Sequence, residues 1–102
     1  MFGLLERDLE FLLKAFSSFK EVEKAVLFGS RAMGNYKKGS DVDIAIIGED
    51  VTRKTLYGLY DLLNEEYPLP YFFDILIYDE ISNPKLREHI ESVGQVIYQR
   101  KE

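Results

Sequence analysis

Cysteine is absent from the 102 residues, which excludes disulfides and thiolate metal sites. A single histidine, His89, excludes a histidine-rich zinc centre. Any metal must therefore be held mainly by oxygen ligands, a donor set that favours magnesium or manganese. No apolar run approaches the roughly 20 residues that span a bilayer. Residues Met1 to Asp8 carry both charge signs and lack the basic start and cleavage pattern of a signal peptide, so the expected location is cytoplasmic. Prolines number only 3, and no internal repeat, low-complexity tract or linker interrupts the chain. Basic residues are outnumbered, 13 against 18, for a net charge of -5. That deficit argues against a broad nucleic-acid-binding surface and leaves room only for a local basic patch.

What is present suits one packed domain over residues 1–102, with 46% hydrophobic residues. Leu5, Leu9, Leu12 and Phe16, widened by Leu13 and Phe19, form the stripe of an amphipathic helix over Leu4 to Phe19. Ala25-Val26-Leu27-Phe28 reads as a buried strand ending at glycine. Arg31 to Gly39 reads as one short helical turn and a polar loop. A second strand follows over Asp41 to Ile47. Thr52 caps a helix running to about Glu66, with Leu56, Leu59 and Leu63 facing the core. Pro68 and Pro70 break the chain before an aromatic-rich third strand, Tyr71 to Tyr78. Pro84 opens a last helix through Ser92, and Val96-Ile97-Tyr98 forms a short strand or a tail.

Chemistry concentrates in two stretches. Gly29-Ser30-Arg31-Ala32-Met33-Gly34 has little side-chain bulk, so its amides can approach phosphate oxygens, helped by the start of a short helix. Ser40-Asp41-Val42-Asp43-Ile44 places two carboxylates on alternate positions of a strand, facing one way. Alone, such a pair reads either as a cation site or as two aspartates reaching solvent. Asp74 shifts the balance, because a charge inside Tyr71-Phe72-Phe73-Asp74-Ile75-Leu76-Ile77 is out of character for a central strand. If the third strand lies beside the second, three carboxylates converge in a manner suited to two metal ions. Ser30 is expected to receive terminal phosphates. Arg31 reads either as a phosphate partner or as an arginine fixing the turn, and Ser40 as a residue that caps or orients Asp41. Lys37 and Lys38 read as solvated loop lysines, and His89, distant in sequence from the carboxylates, as non-catalytic.

The combination of Gly29-Ser30, a spacer over 31–40, Asp41-Val42-Asp43 and the later Asp74 resembles the DNA polymerase beta-like nucleotidyltransferase superfamily. GSRAMG with SDVDIAII is similar to its minimal prokaryotic nucleotidyltransferases, and the tail Leu86 to Ile90 and Gly94 to Tyr98 shares that character. Met33 departs from it, since relatives often carry a basic residue there. The resemblance implies an α/β (α+β) fold, a small mixed sheet of three to four strands with helices on one side. It implies that Asp41, Asp43 and Asp74 are catalytic and bind Mg2+ or Mn2+, and that Gly29, Ser30, Arg31 and Ser40 bind ATP. The implied reaction moves a nucleoside monophosphate, AMP above all, onto a hydroxyl and releases pyrophosphate. Similar minimal proteins are antitoxins paired with a helical HEPN-domain toxin, whose tyrosine is the implied acceptor. Two further expectations stand beside it: neutralisation by complex formation without turnover, and modification of an aminoglycoside-like small molecule. The short chain favours a protein partner, because a polymerase or tRNA-tailing relative needs additional domains to hold its substrate.

Overall fold

A computed structural model describes residues 1–101 and gives a four-stranded sheet covered by helices. Helix α1 spans Glu6–Ser17, β1 Lys24–Phe28, and the single-turn α2 Ser30–Met33. Strand β2 spans Val42–Ile47, α3 Arg53–Asp61 and β3 Phe73–Ile77; α4 spans Pro84–Val93 and β4 Gln95–Gln99. Helix α3 widens into a π-helical segment at Leu62–Glu66, and so reaches the expected end before Pro68. The second strand starts at Val42, which leaves Asp41 in its lead-in rather than inside it.

The strand order is β3-β2-β1-β4. Antiparallel pairs join β1 to β2 and β1 to β4, whereas β2 and β3 run parallel. The final segment, expected as a strand or a tail, is thus an edge strand beside β1, with a bulge opposite Ala25/Val26. The sheet is mixed, as expected, and its two faces divide by the two-residue period of each strand.

The larger core lies on one face. Ala25 and Leu27 of β1, Val42, Ile44 and Ile46 of β2, and Phe73, Ile75 and Ile77 of β3 meet Leu12, Ala15 and Phe16 of α1. Leu59 and Leu63 from the α3 segment complete it. Burying each such side chain contributes roughly 1.5–3 kcal/mol, so this layer dominates the stability of the sheet. On the other face, Val26, Phe28 and Ala45 pack a smaller cluster with Ile90 of α4. Helices α1 and α3 therefore share one side, as expected, and α4 adds cover on the second. Leu5 and Leu13, counted in the helical stripe, are 59% and 45% exposed. The inward face of α1 instead includes Asp8, whose Oδ2 accepts from the Leu5 N–H at 2.9 Å and from the Tyr71 hydroxyl at 2.8 Å.

The outer edge of β3 is closed by side chains. Asn64 accepts from the Phe73 N–H at 2.8 Å and donates to the Phe73 carbonyl at 3.0 Å. The Tyr60 hydroxyl accepts from the Ile75 N–H at 3.2 Å. At the other end of the chain, Asn83 caps α4 by accepting from Lys85 and Leu86 N–H groups, with Pro84 in the first turn.

Candidate functional site

Strand β1 delivers the chain to Gly29, where φ is 76° and ψ is -155°. That conformation is essentially restricted to glycine. A side chain there would also collide with Asp43 Oδ2, so the missing Cβ is what lets the main chain pass the carboxylate. The single turn of α2 begins at once with Ser30, closed by a Met33 N–H bond to the Gly29 carbonyl at 3.1 Å. Gly34 ends it in the left-handed conformation, with φ of 83°.

The carboxylates meet through strand register. Asp43 lies opposite Asp74 across the parallel β2–β3 pair, and alternation turns both toward the face that Ala45 and Leu76 help to form. Burial raises the Asp43 carboxyl above its ordinary value, the charges of Asp74 and Asp41 raise it further, and His89, in its protonated form only, opposes them. Asp74 Oδ1 accepts from the Tyr60 hydroxyl at 3.1 Å. Burial raises the Tyr60 hydroxyl, the Ile75 main-chain bond opposes that rise, and the bond and charge of Asp74 add to it. Asp41 is exposed at the mouth. Among the described residues, no three histidine, aspartate or glutamate side chains are gathered tightly enough to hold an ion as they stand. The chemistry of the donor set nevertheless fits a divalent cation. Asp43 feels two neighbouring negative charges in a partly desolvated setting, and a hard cation would offset all three.

Histidine 89 is the residue that sequence reasoning passed over. Its Nε2 accepts the Gly29 N–H at 3.1 Å, and its ring meets Phe28 edge-on. The Gly29 amide, expected to face phosphate, is therefore engaged within the protein. Ser30 Oγ has no hydrogen-bond partner among the described residues, which leaves Ser30 as the member of the pair with a group to offer. A signal for His89 existed in its place beside Ile90, but only a knowledge of which face α4 covers could have used it.

Of the two readings of Arg31, the structure displays the fixing role. The side chain is 3% exposed. Its Nε and Nη2 donate to the Ser40 carbonyl at 3.1 and 2.8 Å, and Nη1 donates to the Phe2 carbonyl at 2.9 Å. The guanidinium also lies 5.0 Å from the ring centres of both Tyr36 and Tyr71. Ser40 acts through its carbonyl on Arg31, while its Oγ accepts from the Lys37 N–H at 2.9 Å rather than orienting Asp41. Arg31 and Ser40 thereby tie the polar loop down just before Asp41.

The sequence over residues 10–102 matches the model of the family described as Polymerase beta, Nucleotidyltransferase. No curated protein matches the chain. Among solved structures, a toxin-antitoxin with AMP-PNP superposes with a TM-score of 0.74 at 19% identity, covering 91% of this chain and 74% of that one. The MntA-HepT toxin-antitoxin gives 0.70 at 16% identity, covering 94% and 74%. A proposed nucleotidyltransferase from Sulfolobus solfataricus gives 0.56 at 20% identity, covering 90% and 77%. At these identities the likeness is one of fold.

Proposed function

The chain belongs to the polymerase beta nucleotidyltransferase family, and from that premise we propose that it transfers AMP from ATP to a tyrosine hydroxyl of a HEPN-domain toxin, acting as its antitoxin. The observation that carries this reading is the register pairing of Asp43 with Asp74 beside the Gly29 turn. Support for the partner comes from the MntA-HepT pair among the structural neighbours, and for the nucleotide from the neighbour with AMP-PNP.

In this reading Asp41, Asp43 and Asp74 would hold divalent magnesium or manganese. Such an ion would supply charge neutralisation for the triphosphate and would make the attacking hydroxyl more acidic. Ser30 offers its hydroxyl and the first amides of α2 to the phosphates, with Gly29 shaping that turn. Asp74, steadied by Tyr60, accepts the proton of the acceptor tyrosine. The tyrosine oxygen then bonds to the α-phosphorus, and the bond to pyrophosphate breaks. Arg31 and Ser40 serve by fixing the approach to Asp41.

The decisive experiment incubates the chain with a HEPN-domain toxin and ATP labelled at the α-phosphate. Label should appear on a toxin tyrosine, and both transfer and neutralisation should vanish in Asp41→Ala and Asp43→Ala. The alternative reading is neutralisation by complex formation alone. Neutralisation that survives both substitutions, with no label transferred, would establish that alternative.

A further inference from the structure

Gly29 occupies a sparsely populated backbone region, and such a conformation persists only where its surroundings over-determine it. Three contacts do so here. Asp43 fills the space on one side of the glycine, the start of α2 takes the chain onward, and His89 Nε2 holds the amide. Of these, the histidine comes from the most distant element, 60 residues along the chain. It is a well-supported element: Ile90, its neighbour, is 3% exposed in the second-face cluster, and Asn83 caps the helix start. The His89 ring packs against Phe28 with centroids 6.1 Å apart at 79°. For Nε2 to accept, the imidazole must be neutral with its proton on Nδ1.

Resting on the nucleotidyl-transfer reading, we infer that His89 is a positioning residue: its Nε2 aims the Gly29–Ser30 turn so that Ser30 presents its hydroxyl and amide to the triphosphate beside Asp43. Helix α4 acts as a strut for the phosphate-binding turn, although none of its side chains need touch the nucleotide. With the Gly29 amide spent on His89, that bond sets the orientation of the Phe28–Gly29 peptide, from which the glycine carries the chain to Ser30. Loss of the acceptor lets the peptide rotate, and the amide loses its partner.

The test compares the full chain with His89→Ala and His89→Gln, since the glutamine amide oxygen can stand where Nε2 stands. Hydrogen exchange of the Gly29 amide, followed by NMR, needs no nucleotide. Protection should fall at least about tenfold in His89→Ala, as for an opening made about 1.4 kcal/mol easier, and return to within about threefold in His89→Gln. With magnesium present, affinity for AMP-PNP and KM for ATP should each worsen about tenfold in the alanine variant, kcat changing less, and recover with glutamine. Unchanged protection or unchanged affinity in His89→Ala overturns the inference, and so does a glutamine variant as impaired as alanine, which would mean that ring packing alone matters. Transfer by the wild-type chain with no effect of His89→Ala removes only this inference. Nucleotide binding without transfer removes the transfer reading, while the affinity comparison still decides the role of His89. A wild-type chain that binds no nucleotide overturns both.

Discussion

Replacing Arg31 with methionine separates a residue that builds the site from one that touches its ligand. The guanidinium makes three hydrogen bonds to two carbonyls, those of Ser40 and Phe2, from a position that is 3% exposed. Hydrogen bonds from a charged donor contribute about 1.5–3 kcal/mol each. The two Ser40 bonds share one acceptor, and both carbonyls regain some water when the donor leaves, so a value near the lower end applies to each carbonyl. Loss of cation–π contact with Tyr36 and Tyr71 adds about 1 kcal/mol, since the rings keep part of their packing against a thioether. We expect Arg31→Met to cost about 4 kcal/mol, a large share of the roughly 5–15 kcal/mol that holds a domain together. Arg31→Lys keeps the charge without the planar fork and should cost about half as much. Urea unfolding measures this directly, with tyrosine fluorescence as the probe. At a slope of about 1.3 kcal/mol/M, the methionine variant should melt about 3 M urea earlier than wild type, or be unfolded from the start. A loss of less than about 1 kcal/mol, together with a nucleotide affinity weakened tenfold, would refute the reasoning and return Arg31 to the phosphate.

Three other outcomes follow from the same site. Asp74→Asn should lower transfer at least about 100-fold and leave AMP-PNP affinity within about threefold, because the loss is that of a base and not of the triphosphate contacts; equal activity would remove Asp74 from the chemistry. Saturating AMP-PNP with magnesium, at about 100 times its Kd, should add about 2.7 kcal/mol and raise the melting temperature by about 10–20 °C; no shift by calorimetry would count against nucleotide binding. The Asp43 carboxyl is raised above its ordinary 3.8, so its contribution to stability in the unliganded protein is present below pH 3.8 and is lost as pH rises through the raised value. Asp43→Asn should therefore be the more stable of the two at neutral pH, with the advantage fading toward pH 3.8 in melts across that range. A variant that is less stable than wild type at pH 7 would contradict the crowding of negative charge around Asp43.

Much of the fold is written locally. The apolar stripe of α1, the glycine that ends β1 and the prolines after α3 each act within a few residues of where their effect is seen, so periodicity and turn chemistry suffice to read them. The pairing of the carboxylates was legible for a related reason: Asp43 and Asp74 are charged residues inside largely buried strands, each out of keeping with its neighbours. What could not be read depends on contacts between distant segments. The stripe of α1 counted Leu5 and Leu13 as core, because spacing gives a face but not how wide a neighbour covers it. The pairing of β4 with β1 rather than β3 is a matter of topology. His89 was set aside on sequence distance, yet the helix that carries it crosses the sheet and brings it to Gly29. Arg31 was ambiguous because phosphate and backbone carbonyl both satisfy a guanidinium, and only its burial separates them.

The Asn64 amide, with both its donor and its acceptor engaged by Phe73, does for β3 what a fifth strand would otherwise do. A side chain that imitates a peptide group leaves Phe73 nothing to offer an incoming chain, and Tyr60 guards the next position with a hydroxyl. Phe73 and Ile75, on either side of Asp74, therefore have their main-chain N–H groups spent on side chains before any strand could pair with them.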